Sequence, residues 1–173
     1  MKGRISHLVV PALLCAAAIA FAAVHTDYDH HADFGRYHTY SWIGVRAGNQ
    51  IWQDRIMSAV DAQLAAKGWQ RVDSGGDAAV SAFGRTSEQD TLETFYNGFP
   101  GWGWRGWGGV TTTEVVPQQV GTLNVDVFDG PSKHLIWRGT ASDTVSGKPE
   151  KNEKKLEHAV SDMFNKFPPH ERS

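Results

Sequence analysis

Two stretches of the chain carry apolar residues at the spacing of one helical face. In residues 51–67 an apolar side chain recurs at every fourth position, which is typical of a helix that buries one stripe. After Pro149 the apolar residues follow an i, i+3, i+4, i+7 pattern, and Pro168 and Pro169 end it. The pattern therefore predicts two amphipathic helices. Their stripes are Trp52, Ile56, Val60 and Leu64 in the first, and Leu156, Ala159, Val160, Met163, Phe164 and Phe167 in the second.

Elsewhere apolar and polar residues alternate with period two, as in half-buried strands. The clearest pair is 122–128 with 135–145, because turn residues at 129–132 separate two alternating runs and predict a hairpin. Weaker strand signals cover 91–96 and 111–116, and Pro117 places the latter at an edge or ends it. The other predicted strands are 24–29, 38–42, 69–72 and 78–83.

Together these elements predict an α+β fold. The two helices would cover one face of a mostly antiparallel or mixed sheet of about six strands, which gives a two-layer sandwich. Residues 78–83 are apolar on both faces apart from Ser81, so we expect a central strand there. A single domain over residues 23–173 accounts for every element, since roughly 150 residues are ample for one core.

The first 22 residues have the pattern of a secretory signal peptide. Lys2 and Arg4 give a positive start, residues 8–23 are uncharged and apolar, and small residues stand at Ala20 and Ala22. We predict cleavage after Ala22 and an exported, periplasmic protein. The alternative is an uncleaved N-terminal anchor, although the apolar run is slightly short for a membrane span.

Cys15 is the only cysteine of the chain, and it lies within this apolar run. Lipidation at Cys15 is a second alternative to simple cleavage. It is disfavoured because the bulky Leu14 occupies a position where lipoprotein signals carry a small residue. In either case the mature domain would contain no disulfide, so its core alone must hold it together.

The charge of the mature chain excludes some classes of partner. Cleavage after Ala22 would remove Lys2 and Arg4, leaving 15 basic and 19 acidic residues and changing the formal net charge from −2 to −4. Such a domain has no basic stripe, which argues against a nucleic-acid partner. It also argues against electrostatic docking on anionic lipid.

Several short motifs span nearly the whole mature chain. They comprise Tyr28-Asp29, Asp33-Phe34 and residues 37–42 near the start, 65–69 at the end of the first helix, 121–127 and 135–139 in the hairpin, and 166–169 after the last helix. In combination they resemble the bacterial envelope (lipo)protein family catalogued as domain of unknown function 4136. The resemblance implies an exported α+β domain, often on a lipoprotein, and it supplies no activity or catalytic residue.

Histidines and aspartates cluster near the mature N-terminus and could in principle supply zinc ligands. However, His30 and His31 are adjacent, and neighbours on an extended chain point to opposite faces. We therefore predict a polar turn between two strands rather than a metal site. The cluster consists of His25, Asp27, Asp29, His30, His31, Asp33 and His38.

The remaining candidates for catalysis do not form a known motif. Ser74 and Ser146 each precede a glycine but lack the Gly-x-Ser-x-Gly pattern of a nucleophile elbow. Gly147-Lys148 lacks the other residues of a phosphate-binding loop. Asp126 and Asp129 lie on the polar face of a strand and in its turn, where acids are common. We predict that the protein is not an enzyme and uses no catalytic residue, metal or cofactor.

Residues 98–109, here named the Gly/Trp segment, combine glycines with a phenylalanine and three tryptophans. So much glycine does not favour a regular element. Tryptophan can stack on sugars, lie at a bilayer interface or anchor a protein partner. The alternative is a loop folded back over the sheet. We predict a non-enzymatic interaction module for another envelope protein or, alternatively, a module that binds an envelope glycan or membrane surface. The predicted binding residues are Phe99, Trp102, Trp104 and Trp107.

Overall fold

The computed structural model describes residues 23–97 and 110–169. Within these ranges the chain forms one mixed sheet, two α-helices and a short 3-10 helix (Phe34–Arg36), which confirms the predicted α+β fold. The strands are β1 (Ala23–Tyr28), β2 (Thr39–Arg46), β3 (Gln70–Arg71), β4 (Ala78–Asn97), β5 (Val110–Asp129) and β6 (Leu135–Thr144); the helices are α1 (Gln50–Ala66) and α2 (Pro149–Phe164).

The strands lie in the order β1-β6-β5-β4-β2-β3. From β1 through β6 and β5 to β4 each strand is antiparallel to its neighbour, whereas β2 runs parallel to both β4 and β3. The predicted hairpin is β5–β6, and the predicted central strand forms the first part of β4. The segments 91–96 and 111–116 are not separate strands, because each continues β4 or β5 without a turn.

The two helices pack on one face of the sheet, as the apolar stripes predict. Val60 and Leu64 of α1 and Val160 and Phe164 of α2 are fully buried. They share one core with the inward residues of the central strands, among them Val80, Val125, Val127 and Trp137. Neither helix has the length and hydropathy that crossing a bilayer would require, in the part of the chain that the structure describes.

The ends of the helices follow local sequence signals. Asn49 caps α1, its side-chain oxygen accepting a hydrogen bond from the Trp52 N–H at 3.1 Å. Gly68 follows α1 with a φ of +85°, the left-handed conformation that favours glycine. Helix α2 ends at Phe164, earlier than the stripe alone indicates, because a residue that precedes proline disfavours helical backbone. Phe167 nevertheless completes the stripe from the following turn, with 1% of its surface exposed.

The opposite face of the sheet carries polar pairs across neighbouring strands. Arg138 of β6 donates two hydrogen bonds to Asp126 of β5, at 2.6 and 2.7 Å. Thr140 donates to Asn124 at 2.8 Å on the same pair of strands. Cross-strand pairs of this kind stabilise a sheet whose face is in contact with water.

Candidate functional site

Strands β4 and β5 are much longer than their neighbours. The pairing of β2 with β4 stops at Phe83, and the pairing of β6 with β5 begins at Val120. Residues 88–97 and 110–119 form ten pairs that have no other neighbouring strand among the described residues. This two-stranded extension, here named the arm, is about 30 Å long at the usual rise of about 3.4 Å per residue.

The Gly/Trp segment joins the two strands of the arm. Its four predicted binding residues, Phe99, Trp102, Trp104 and Trp107, lie outside the described residues, so their role stays a prediction. The flanking residues Asn97 and Val110 form the last pair of the arm. The sequence therefore connects the aromatic residues to the end of the arm that is farthest from the helices.

Pro117 lies in the arm and pairs with Asp90 of β4. At this position β5 has one neighbouring strand among those described, so it is locally an edge. Proline is compatible with an edge because its missing N–H can face away from the ladder. Of the two alternatives that Pro117 predicts, an edge or the end of a strand, the edge is confirmed, and β5 continues through Pro117 to Asp129.

The charged residues of the arm are all acidic, and they lie in the six pairs nearest its base. Glu88, Asp90, Glu93 and Glu114 lie in it, and its twenty residues include no lysine or arginine. The register places Glu93 directly opposite Glu114. Like charges at opposed positions destabilise a ladder. The sequence of the arm is therefore not optimised for the stability of an isolated hairpin.

A cleft of about 760 Å³ opens at the base of the arm, between the sheet and the first turns of the two helices. Its floor includes Gly84 of β4, Gly121 and Leu123 of β5, and Ala141 of β6. Helix α1 contributes Trp52 and Ile56 to the lining, and α2 contributes Leu156 and Ala159. Three separate parts of the chain thus form one largely apolar surface.

Two glycines leave space above the floor of this cleft, because they have no side chain to fill it. A Cβ atom added at Gly84 would lie 3.2 Å from the Cδ1 atom of Ile56, and one added at Gly121 would lie 3.4 Å from a methyl carbon of Val145. The motifs of the sequence do not reveal this cleft. The available signal was a glycine inside each strand, which marks a bulge or a close approach.

Charged side chains surround the mouth of the cleft. The Nζ atom of Lys155 lies 3.1 Å from a carboxylate oxygen of Asp143 and donates to the Thr144 carbonyl at 2.8 Å. Arg46 and Arg85 also border the cleft, but they pair with Phe83 and Thr122, so their exposed side chains belong to the face of the sheet opposite the helices. The charged pair on the helix side of the cleft is therefore Lys155 with Asp143.

The two aspartates considered in the sequence are engaged in structural contacts. Arg138 pairs with Asp126, and this hydrogen bond raises the pKa of the arginine. Asp129 is buried and accepts hydrogen bonds from the Ser132 N–H at 2.8 Å and the Ser132 hydroxyl at 2.6 Å. It also accepts from the Tyr37 hydroxyl at 3.1 Å and pairs with Arg36. These contacts, led by those of Ser132, hold the pKa of Asp129 well below its usual range.

The N-terminal histidines surround a structured turn. Asp29 accepts a hydrogen bond from the His31 N–H at 2.9 Å and lies 3.2 Å from the Nε2 atom of His134. The His38 N–H donates to Asp77 at 3.1 Å. Within the described ranges, no three side chains of the metal-binding types converge. These contacts are those of the polar turn that the sequence predicts.

Ser146, Gly147 and Lys148 form the entry to α2. The Ser146 N–H donates to the side-chain oxygen of Asn152 at 2.7 Å, and the Asn152 amide donates back to the Ser146 carbonyl at 2.7 Å. Pro149 is the first helical residue, a position that proline favours. The Gly147-Lys148 pair therefore belongs to the start of a helix.

Residues 24–169 match a family profile described as a domain of unknown function, DUF4136. The chain belongs to the DUF4136 family. This membership confirms the resemblance found in the sequence motifs and brings no established molecular activity with it. No curated protein is significantly similar to this DUF4136 chain in sequence.

The DUF4136 fold is similar to solved bacterial structures of low sequence identity. A PDZ domain protein from Parabacteroides distasonis ATCC 8503 has a TM-score of 0.60 and 13% identity over 87% of this chain. The match spans only 36% of that longer protein. The PelC dodecamer from Paraburkholderia phytofirmans has a TM-score of 0.48 and 11% identity, with 82% of this chain and 94% of that one covered.

A third similar structure is the lipoprotein GNA1162 from Neisseria meningitidis. Its TM-score is 0.41 and its identity 10%, with 74% of this chain and 98% of that chain covered. At such identities the likeness concerns the fold alone.

Proposed function

We propose that this DUF4136 protein is an exported, non-catalytic interaction module of the cell envelope. In this proposal the arm presents the Gly/Trp segment to a protein partner. The observation that carries it is the length of β4 and β5, which continue for ten residue pairs beyond the rest of the sheet. The core that the helices cover does not require this extension.

The backbone of the arm supports an interaction role. A two-stranded ribbon is at best marginally stable in water, and each of its edges exposes unpaired N–H and C=O groups. A partner that adds a strand to such an edge satisfies these groups and gains affinity from main-chain hydrogen bonds. The tryptophans in the connecting segment would then anchor the contact, as aromatic residues do at many interfaces.

The charge of the arm favours a protein partner over a membrane surface. Anionic lipid attracts basic segments, whereas the arm offers the carboxylates Glu88, Asp90, Glu93 and Glu114. A glycan- or membrane-binding module that uses the same aromatic residues is the alternative function. The negative charge of the arm argues against binding to a membrane surface. Whether the segment binds a glycan is decided by the test below.

The combined replacement of Trp102, Trp104 and Trp107 by alanine tests the proposal. We expect the melting temperature to stay nearly unchanged, because an exposed segment contributes little to the core, and partner binding to be lost. Binding is measured in intact cells with a photo-crosslinking amino acid at Asn97. The same group at the exposed Gln70, on the far edge of the sheet, serves as the positional control.

Two outcomes would contradict this assignment. If the triple variant both unfolds and fails to bind, the Gly/Trp segment folds over the core and is not a recognition surface; each buried aromatic-to-alanine change would then cost about 3–5 kcal/mol. If the wild type sediments with purified peptidoglycan sacculi or lipid vesicles, and the triple variant does not, the alternative function replaces the protein partner. A triple tryptophan-to-phenylalanine variant shows whether aromatic area suffices.

The export step has its own test. We expect N-terminal sequencing of the periplasmic protein to give a chain that starts at Ala23 or within a few residues of it. The expectation rests on the small residues Ala20 and Ala22 at the spacing that signal peptidase recognises. A lipidated species that starts at Cys15, or an intact Met1, would show that the protein is anchored.

A further inference from the structure

The two edges of the arm differ in their main-chain groups and in their charge. We propose that the protein partner of the arm adds an extended segment rich in lysine or arginine as a new strand beside β4, and not beside β5. The inference rests on the proposed function, because it specifies which edge of the arm the partner uses and which charge the partner carries there.

A hydrogen bond at the base of the arm shows which main-chain groups of β5 point outward. The Val145 N–H donates to the Gln119 carbonyl at 2.7 Å, so Gln119 faces the side of β6. Main-chain groups alternate between the two sides of a strand, and the register of β5 with β4 is continuous over all pairs of the arm. The N–H and C=O groups of residues 111, 113 and 115 therefore face the open edge, and position 117 belongs to the same set.

Pro117 interrupts this outer edge of β5. A strand added there would meet a position without an N–H donor, because the proline ring takes the place of the hydrogen. Proline on an edge is one of the devices that protect a sheet from the addition of further strands. Pairing beside β5 would therefore not continue from the tip of the arm to its base.

The outer edge of β4 has no such interruption, since residues 88–97 include no proline. The Gly130 N–H donates to the Asp77 carbonyl at 2.7 Å, so Asp77 faces β5 and the even-numbered residues of β4 face the other way. Strand β2 occupies that side in the body of the sheet, but its pairing stops at Phe83. In the arm, the outward N–H and C=O groups of β4 belong to Glu88, Asp90, Leu92, Thr94 and Tyr96.

The charge along β4 indicates what the added segment carries. Residues 88–97 include the acids Glu88, Asp90 and Glu93 and no basic residue. Glu93 is also paired with Glu114 of β5, a like-charge pair that destabilises the arm on its own. Lysine or arginine on a strand beside β4 would form opposite-charge cross-strand pairs with these acids, which stabilise a sheet. A second copy of this strand is disfavoured, because it would bring the same acids and no basic residue.

Fluorescence anisotropy of a labelled peptide of alternating lysine and valine, titrated with the exported protein, tests the proposal. At low salt we expect saturable binding, about tenfold or more tighter than that of the same peptide with glutamate in place of lysine. Thr94→Pro should weaken binding about tenfold, because it removes an outward donor of β4. Thr113→Pro is the matched control and should change the affinity less than about twofold. The two threonines are paired and their N–H groups face away from each other, so neither change removes a hydrogen bond between β4 and β5.

The charge of the partner has a separate readout in a variant that neutralises the acids of β4. Its changes are Glu88→Gln, Asp90→Asn and Glu93→Gln. This variant should lose most of its preference for the lysine peptide over the glutamate peptide, because the opposite-charge pairs are gone. The control variant neutralises three exposed acids outside the arm and should keep the preference; its changes are Asp73→Asn, Glu150→Gln and Glu157→Gln. Equal loss of preference in both variants would show that net charge alone attracts the peptide, and it would overturn the basic segment.

Amide hydrogen exchange of the wild type, followed by NMR, keeps the test valid if a proline variant does not fold. The lysine peptide should slow exchange at the outward N–H groups of Asp90, Leu92 and Thr94 and leave those of Thr113 and Val115 unchanged. Protection on β5 instead of β4, or the absence of saturable binding, would overturn the inference. If the tryptophan-to-alanine triple variant loses its partner in cells while Thr94→Pro retains it, the proposed function stands and this inference fails.

Discussion

Phe164→Ala should lower the free energy of unfolding by about 3–5 kcal/mol, the usual cost of an aromatic-to-alanine change in a core. Phe164 is fully buried where α2 meets the sheet. Its ring centroid lies 5.0 Å from that of Trp137 and 5.3 Å from that of Phe167. Removing the ring leaves a cavity that these large neighbours cannot easily fill. Urea denaturation followed by circular dichroism measures the loss.

The matched control for Phe164→Ala is Glu157→Ala, an exposed position on the same helix. It should change the free energy of unfolding by no more than about 0.5 kcal/mol, as surface substitutions commonly do. A loss below about 1 kcal/mol for Phe164→Ala itself would mean that α2 is peripheral or that its register on the sheet is wrong.

Asp129→Asn should lower the free energy of unfolding by about 2–3 kcal/mol, because hydrogen bonds to a charged group contribute more than neutral ones. The carboxylate binds the Ser132 N–H and hydroxyl, the Tyr37 hydroxyl and Arg36. An amide can accept at only one of its two terminal atoms, so several of these donors lose their partner. Asp126→Asn on the solvent-exposed face is the control and should cost less, about 1 kcal/mol or below.

The same carboxylate predicts a dependence on pH. The native contacts lower the pKa of Asp129, so its stabilising effect is fully present above the pKa of the unfolded chain, about 3.9. The effect is lost as the pH falls below that value. Denaturation curves of the wild type and of Asp129→Asn should therefore differ at pH 7 and converge at low pH. A difference that stays constant down to acidic pH would show that the charge of Asp129 is not what stabilises the turn.

Local patterns explain why much of the fold could be predicted. Each helix stripe has a 3.6-residue period that survives in the structure, and Asn49, Gly68 and Pro149 mark ends through backbone geometry alone. The β5–β6 hairpin was equally predictable, because the alternation of apolar and polar residues and the position of the turn residues indicate the same structure over 122–145. Agreement between several local signals is what makes a segment predictable.

The length of β4 and β5 and the cleft were not predictable in the same way. Residues 84–90 include glycine, threonine, serine and acids with no apolar alternation, so the pattern does not join the predicted strands 78–83 and 91–96 into the single strand β4. The cleft depends on tertiary assembly, since Trp52, Gly121 and Leu156 meet only when both helices lie on the sheet. Likewise, the sequence shows Asp129 only as an acid in a turn. Its contacts with Tyr37 and Arg36 could not be predicted, because these residues come from a distant segment of the chain.

The pairing of β1 with β6 constrains the order in which the domain can fold. Tyr28 of the first strand pairs with Trp137, about a hundred residues later in the chain. The entropy of closing such a long loop is lost before the contacts between the two strands can stabilise it, and non-local pairing of this kind slows folding. A chain that emerges with its N-terminus first therefore holds β1 without its partner until β6 has followed. The sheet closes only when nearly the whole domain is present, and until then an unpaired strand is open to wrong partners.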